Sequence, residues 1–145
     1  MPGDETMNQE PPTLTQDQHK VLENLPPNQP VVMLNLRRFL DQAVYADTDQ
    51  AEPCSGREAY KRYSQTSLQT IAAVGGRVIF GGKAHEALIA PQGEGWHQAF
   101  LVQYPSPAAF RAMMAMPQYQ ACVHHRTAAL ADSRLIPLSP FQPLS

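Results

Sequence analysis

Residues 56–82 read GREAYKRYSQTSLQTIAAVGGRVIFGG. Tyr60, Tyr63, Ser67, Ile71 and Val74 recur at intervals of three or four, so a helix carries them on one face. Lys61, Arg62 and Gln65 then fall on the wet side. Ser55 supplies an N-cap, and Glu58 three residues on completes a capping box. Gly75–Gly76 stops the helix near Val74, because glycine readily takes the left-handed conformation found there. Arg77 to about Gly81 follows at once as a strand. A helix handed straight to a strand is the middle of a larger unit, and the flanking sequence supplies the rest.

Upstream, VVMLNL at 31–36 opens a strand that runs to about Arg37. Val32, Leu34 and Leu36 share one face, assigned to the side under the helices. Val31, Met33, Asn35 and Arg37 share the other, which begins apolar and ends polar. Downstream, Gly81–Gly82 marks a bulge or bend, with Ala84–Ala90 as a possible continuation of the strand. PQGEG at 91–95 is a hairpin loop, and His97–Tyr104 is a third strand. Ser106 and Pro107 start a helical stretch as N-cap and first helical residue. Pro117 divides it into helices over about 107–115 and 118–131. Arg134–Leu138 is the last strand. The order β-α-β-β-α-β is the ferredoxin-like arrangement, an α+β fold with a four-stranded antiparallel sheet and helices on one face. Its other face is left apolar, with Val31 and Met33 expected there, and a twofold copy is the expected cover.

The 145 residues suit a single domain over 13–138. Residues 1–12 are polar and acidic and read as a disordered arm, and 139–145 as a Pro-rich tail. Thr15 and Gln18 form a capping box for a short helix edged by Val21, Leu22 and Leu25 and ended by Pro26–Pro27. The connection 39–55, FLDQAVYADTDQAEPCS, is long enough to be a lid or binding segment, or a plain solvated insertion. A formal charge of -2 and a pI near 6.2 give no basic cluster for nucleic acid or an anionic membrane. No apolar run reaches the roughly 20 residues of a membrane span. MPGDETMNQEPP lacks the basic and apolar parts of a secretory signal, so the cytoplasm is the expected compartment.

Cys54 and Cys122 fit neither a zinc pattern nor a CxxC motif and read as free thiols. His124 and His125, about 100° apart on a helix, cannot share a metal, and no metal site is expected. His125 is a candidate proton carrier because imidazole titrates near neutrality. Arg126 lies two helical turns after Tyr119, with Cys122 and Val123 between on the same face. It therefore points toward the sheet, for a substrate anion or for a protein acid such as Asp132 or Glu58. Tyr60 and Tyr63 present phenols on an inner helical face, where Tyr63 can donate a proton and Tyr60 can orient a ligand. Asn35 and Arg37, on one face of the first strand, are the remaining ligand-binding candidates. Phosphate-cradling glycine loops and nucleophile elbows are absent.

These segments in order, VVMLNLRRF, SGREAYKRY, AVGGR, YPSPAAF, MPQYQ and HHRTAALADSRLI, resemble the DUF1330 family of the dimeric α/β-barrel superfamily over about 14–138. The resemblance implies a protomer that dimerises through its sheet. Relatives in the superfamily include cofactor-independent oxygenases, muconolactone-type isomerases and haem-degrading enzymes. It places Asn35, Tyr63 and Arg126 where the family has recurrent polar residues. Arg37, at a more usually apolar position, and the longer 39–55 connection depart from it. The expected activity is cofactor-independent, oxygenase- or isomerase-like chemistry on a small, partly apolar carbonyl or phenolic compound. Tyr63 or His125 would move the proton, with Asn35 and Arg126 stabilising an oxyanion. A non-catalytic binding module and a ligand-free structural dimer are the alternatives.

Overall fold

A computed structural model describes residues 14–141. The arm expected at 1–12 lies outside the described residues, as do the last four residues of the tail. Eight elements follow in order. They are α1 (Gln16–Glu23), β1 (Val31–Phe39), α2 (Gly56–Ala73), β2 (Arg77–Lys83), β3 (Gln98–Tyr104), α3 (Pro107–Ala115), α4 (Pro117–Ala129) and β4 (Leu130–Leu138). The sheet is antiparallel throughout, in the order β2-β3-β1-β4, and does not close on itself. This is the expected ferredoxin-like α+β topology.

Local chemistry sets the element ends. Thr15 and Gln18 form the reciprocal capping box of α1, which stops at Asn24, before the prolines. Ser55 Oγ accepts from the Glu58 amide at the start of α2, without the reciprocal bond from the Glu58 side chain. Gly75 follows α2 with φ of 83°, left-handed as a helix stop requires. Ser106 caps α3 with Pro107 in its first turn, and Pro117 opens α4.

Three expectations are corrected. The helices cover the Val31, Met33, Arg37 and Phe39 face of β1, all four buried, rather than the Val32, Leu34 and Leu36 face. Both alternate sets are apolar at their start, so composition could not rank them, and the polar Asn35 and Arg37 suggested the wet side. The irregularity in β2 lies between Val78 and Phe80 rather than at Gly81–Gly82. Gly81 instead admits the Phe100 ring, which would lie 2.7 Å from a Cβ placed there. Finally, residues 84–90 form loop and bend rather than strand, and Leu88 and Ile89 are fully exposed.

One core fills the space between helices and sheet. Val31, Met33, Val102 and Tyr104 from the sheet meet Ala59, Tyr60 and Tyr63 of α2, Phe110 and Met113 of α3, and Tyr119, Cys122 and Val123 of α4. The opposite sheet face carries Leu34 between Leu101 of β3 and Ile136 of β4, with Val32 beside Leu138. Among the described residues, no helix covers that face. Among the described residues, no helix is long and apolar enough to cross a membrane.

Candidate functional site

Between the helices and the sheet lies a cavity of about 650 Å³. Sheet registry places Met33, Asn35 and Arg37 of β1 and Phe100, Val102 and Tyr104 of β3 on its floor. Tyr60, Tyr63 and Ser67 descend from α2, and Tyr119, Val123 and Arg126 from α4. Of the residues expected to carry chemistry, Asn35, Arg37, Tyr60, Tyr63 and Arg126 converge here. Leu14, Thr15 and Gln18 from the start of α1 also reach the cavity wall.

Arg37 is 9% exposed, and its Nε is buried with no hydrogen-bond partner. Its guanidinium carbon sits 4.2 Å from the Tyr60 ring centroid and 4.1 Å from that of Phe100. Burial lowers its pKa, the nearby Tyr60 and Tyr63 oppose that shift, and the charge of Arg126 adds to it. The charge of Arg126 therefore reaches Arg37 across the site. Neither acid expected to pair with Arg126 does so among the described residues. Asp132 lies 2.7 Å from Arg134 and 3.7 Å from Arg38, and no ion pair joins Arg126 to Glu58 among the described residues.

The tyrosines form a cluster. The Tyr63 hydroxyl donates to that of Tyr119 at 3.3 Å, and the Tyr60 and Tyr63 ring centroids are 5.1 Å apart. Burial pushes the pKa values of Tyr60, Tyr63, Tyr104 and Tyr119 up. All four are neutral O–H groups at physiological pH, fit to donate hydrogen bonds and unfit to act as bases. Asn35 Nδ2 donates to the Met33 carbonyl at 3.2 Å, which uses one of its two N–H groups.

His125 is not part of the cavity wall. Its Nδ1 is 2.7 Å from the Tyr45 hydroxyl, on the side of α4 that meets the 39–55 connection. Arg62 joins them, donating to the Tyr45 hydroxyl at 3.2 Å and to the Glu52 carbonyl at 3.1 Å. That connection is pinned by backbone bonds as well, from Leu40 to Ala129 and from Val44 to Ala128, each 2.9 Å. Cys122 is buried and Cys54 half-buried, and both are free thiols. Among the described residues, no three His, Cys, Asp or Glu side chains group closely enough to hold a metal ion.

Phe100, Tyr104 and Tyr119 belong to the site and escaped the reading by residue type. The signals were present in the alternation that joins Phe100 to Tyr104 and in the helical spacing that joins Tyr119 to Arg126.

The comparisons with known proteins agree with this fold. A protein of unknown function from Rhodopseudomonas palustris is 37% identical, covering 89% of this chain and 95% of its own, with a TM-score of 0.80. A methylated form of the same protein gives 37% identity, 90% and 95% coverage and a TM-score of 0.81. The hydroxynitrile lyase of Passiflora edulis shares the fold alone, at 11% identity and a TM-score of 0.52 over 80% of this chain and 97% of its own. No functionally curated protein matches the sequence. Residues 53–137 match the model of the family described as a domain of unknown function, DUF1330, and the chain belongs to that family.

Proposed function

We propose that this protein binds a small, partly apolar carbonyl or phenolic compound in the cavity and acts on it without a cofactor. The observation that carries this reading is the convergence of Asn35, Arg37, Tyr60, Tyr63 and Arg126 on one cavity of about 650 Å³, within the size range of small-molecule sites. Apolar and aromatic walls suit the body of such a compound. Cations and neutral phenols suit an oxygen that gains negative charge. In this scheme water takes the α-proton of the ligand, the C–H electron pair moves to the carbonyl oxygen held by Asn35 and Arg126, and Tyr63 gives that oxygen its proton and is reprotonated from solvent.

One observation favours non-catalytic binding as a second reading. Among the described residues, the cavity wall contains no carboxylate or histidine, and its tyrosines are held neutral, so none of them offers a general base. The two readings separate in one experiment. Isotope-labelled protein is titrated with small phenols and ketones by NMR, and ketones that bind are then followed for exchange of their α-protons in D2O. Shifts at Asn35, Tyr63 and Arg126 with Tyr63-dependent exchange support the enzyme. The same shifts without exchange support the binding module. No shift at the cavity residues removes both.

The protein is further proposed to work as a homodimer joined through the open sheet face. Val32, Leu34, Leu36, Phe80, Leu101, Ile136 and Leu138 share that face by registry, with Arg77, Gln103 and Arg134 among them. An antiparallel sheet with helices on only one side leaves such a surface in water, and a twofold copy buries it against itself.

A further inference from the structure

The charges in the cavity narrow the ligand further. Among the described residues, two arginines line it, and no Asp or Glu does. Among the described residues, the ion pairs are Arg38 with Asp132 and Arg134 with Asp132, so neither cavity arginine has a carboxylate partner. Burial keeps the surrounding phenols neutral, and they supply no counter-charge. Arg37, the buried one of the two, is unfavourable as an unpaired cation unless an anion joins it.

Geometry adds a second restriction. Arg37 packs over both the Tyr60 and Phe100 rings, at 4.2 and 4.1 Å, which fixes the plane of its guanidinium. Its hydrogen bonds leave in that plane, as a fork matched by two oxygens of one planar group. Nε already lacks an acceptor. We infer that the ligand is a small aromatic or short aliphatic carboxylic acid, bound as its carboxylate. The carboxylate sits in plane with the Arg37 fork, Arg126 is the second cation, and the apolar body lies toward Phe110, Met113 and Val123. This inference rests on the proposed small-molecule role and specifies the class of compound.

The test compares acids with neutral isosteres on the native protein. Benzoate, 4-hydroxybenzoate and hexanoate are titrated calorimetrically and by ligand-observed NMR, beside their primary amides and phenyl phosphate. The acids are expected to bind at least tenfold more tightly than the amides. Arg37→Met is expected to weaken acid binding at least tenfold and so remove that preference, and Arg126→Gln to reduce it. The wild-type comparison stands even where a variant fails to fold. Equal binding of acids and amides overturns the carboxylate assignment and leaves the pocket in place. A preference for phenyl phosphate over benzoate overturns it in favour of a phosphate ester. Acid binding that survives both substitutions overturns the roles of the arginines. Absence of binding by every probe overturns the assignment together with the small-molecule role.

Discussion

The Tyr45 hydroxyl and Nδ1 of His125 lie 2.7 Å apart, tying the 39–55 connection to the outer side of α4. His124 stands against His125 with ring centroids 4.0 Å apart, and Arg62 reaches the same hydroxyl. Protonating His125 would bring a second cation close to Arg62. Burial depresses its pKa, with His124 and Arg62 adding to the effect and Asp49 opposing it. A histidine whose folded pKa is lowered favours folding in its neutral form. The full contribution is present above the unfolded value near 6.5, and it is lost as pH falls through the folded value. The melting temperature of the wild type, measured against His125→Gln, is therefore expected to drop between pH 7.5 and pH 5. Parallel profiles for the two proteins would remove His125 as the cause.

Gly56 supplies a second expectation. A Cβ there would lie 2.1 Å from the Leu40 carbonyl oxygen and 2.8 Å from that of Ala129. Both obstacles are backbone, held by the bond from the Leu40 amide to Ala129, so neither can turn aside. Gly56→Ala is expected to destabilise by about 3 kcal/mol or more, as overpacking at a rigid contact does. Gly95→Ala, with nothing within 4 Å of its Cβ, is expected to stay within about 0.5 kcal/mol of wild type. Urea denaturation of the two variants measures the difference.

Gly75 and Gly56 mark what the chain discloses about itself. The φ of 83° at Gly75 follows from its place after a helix, and that is a local, legible signal. The requirement at Gly56 comes from Leu40 and Ala129, which are remote in sequence. The same division holds for the sheet. Alternation along β1 separates its residues into two correct sets, but which set lies under the helices depends on α2 and α4. Tyr60, Tyr63 and Arg126 were legible because helical spacing aims them inward. His125 and Arg126 differ by one residue, about 100° of helix, and that rotation separates the outer cluster from the cavity.

Arg37 and Arg126 differ from bracing residues in what their loss should do. Replacing Arg37 by Met keeps much of the volume against Tyr60 and Phe100. The variant loses cation–π contacts worth about 0.5–2 kcal/mol each. It also removes a buried charge with an unpaired Nε, whose desolvation costs several kcal/mol. Without ligand, Arg37→Met is expected to be at least as stable as wild type. Tyr119→Phe, which deletes one partner of the 3.3 Å hydroxyl pair, is expected to lose about 1 kcal/mol. Calorimetric melting of both variants distinguishes the cases. A drop of many degrees for Arg37→Met would mean that the arginine holds the fold together rather than awaiting an anion.

Leu34 tests the assembly. It sits on the central strand pair of the open face, opposite Leu101 on one side and Ile136 on the other. Its side chain points away from the cavity and from the helices, so a charge there leaves the protomer's own core intact. Ile136 and Leu138 are 42% and 40% exposed in the isolated chain, which is costly surface for water to cover. If a second copy buries this face, Leu34→Glu places two like charges near the twofold axis of a dry interface. Each would have to be desolvated, at a penalty of several kcal/mol per ion. The wild type is then expected to scatter light as a dimer at micromolar concentration and Leu34→Glu as a monomer with an unchanged circular dichroism spectrum. A wild-type monomer under those conditions would leave the apolar sheet face without its proposed occupant. The cavity, built from one chain alone, would be unaffected by that result.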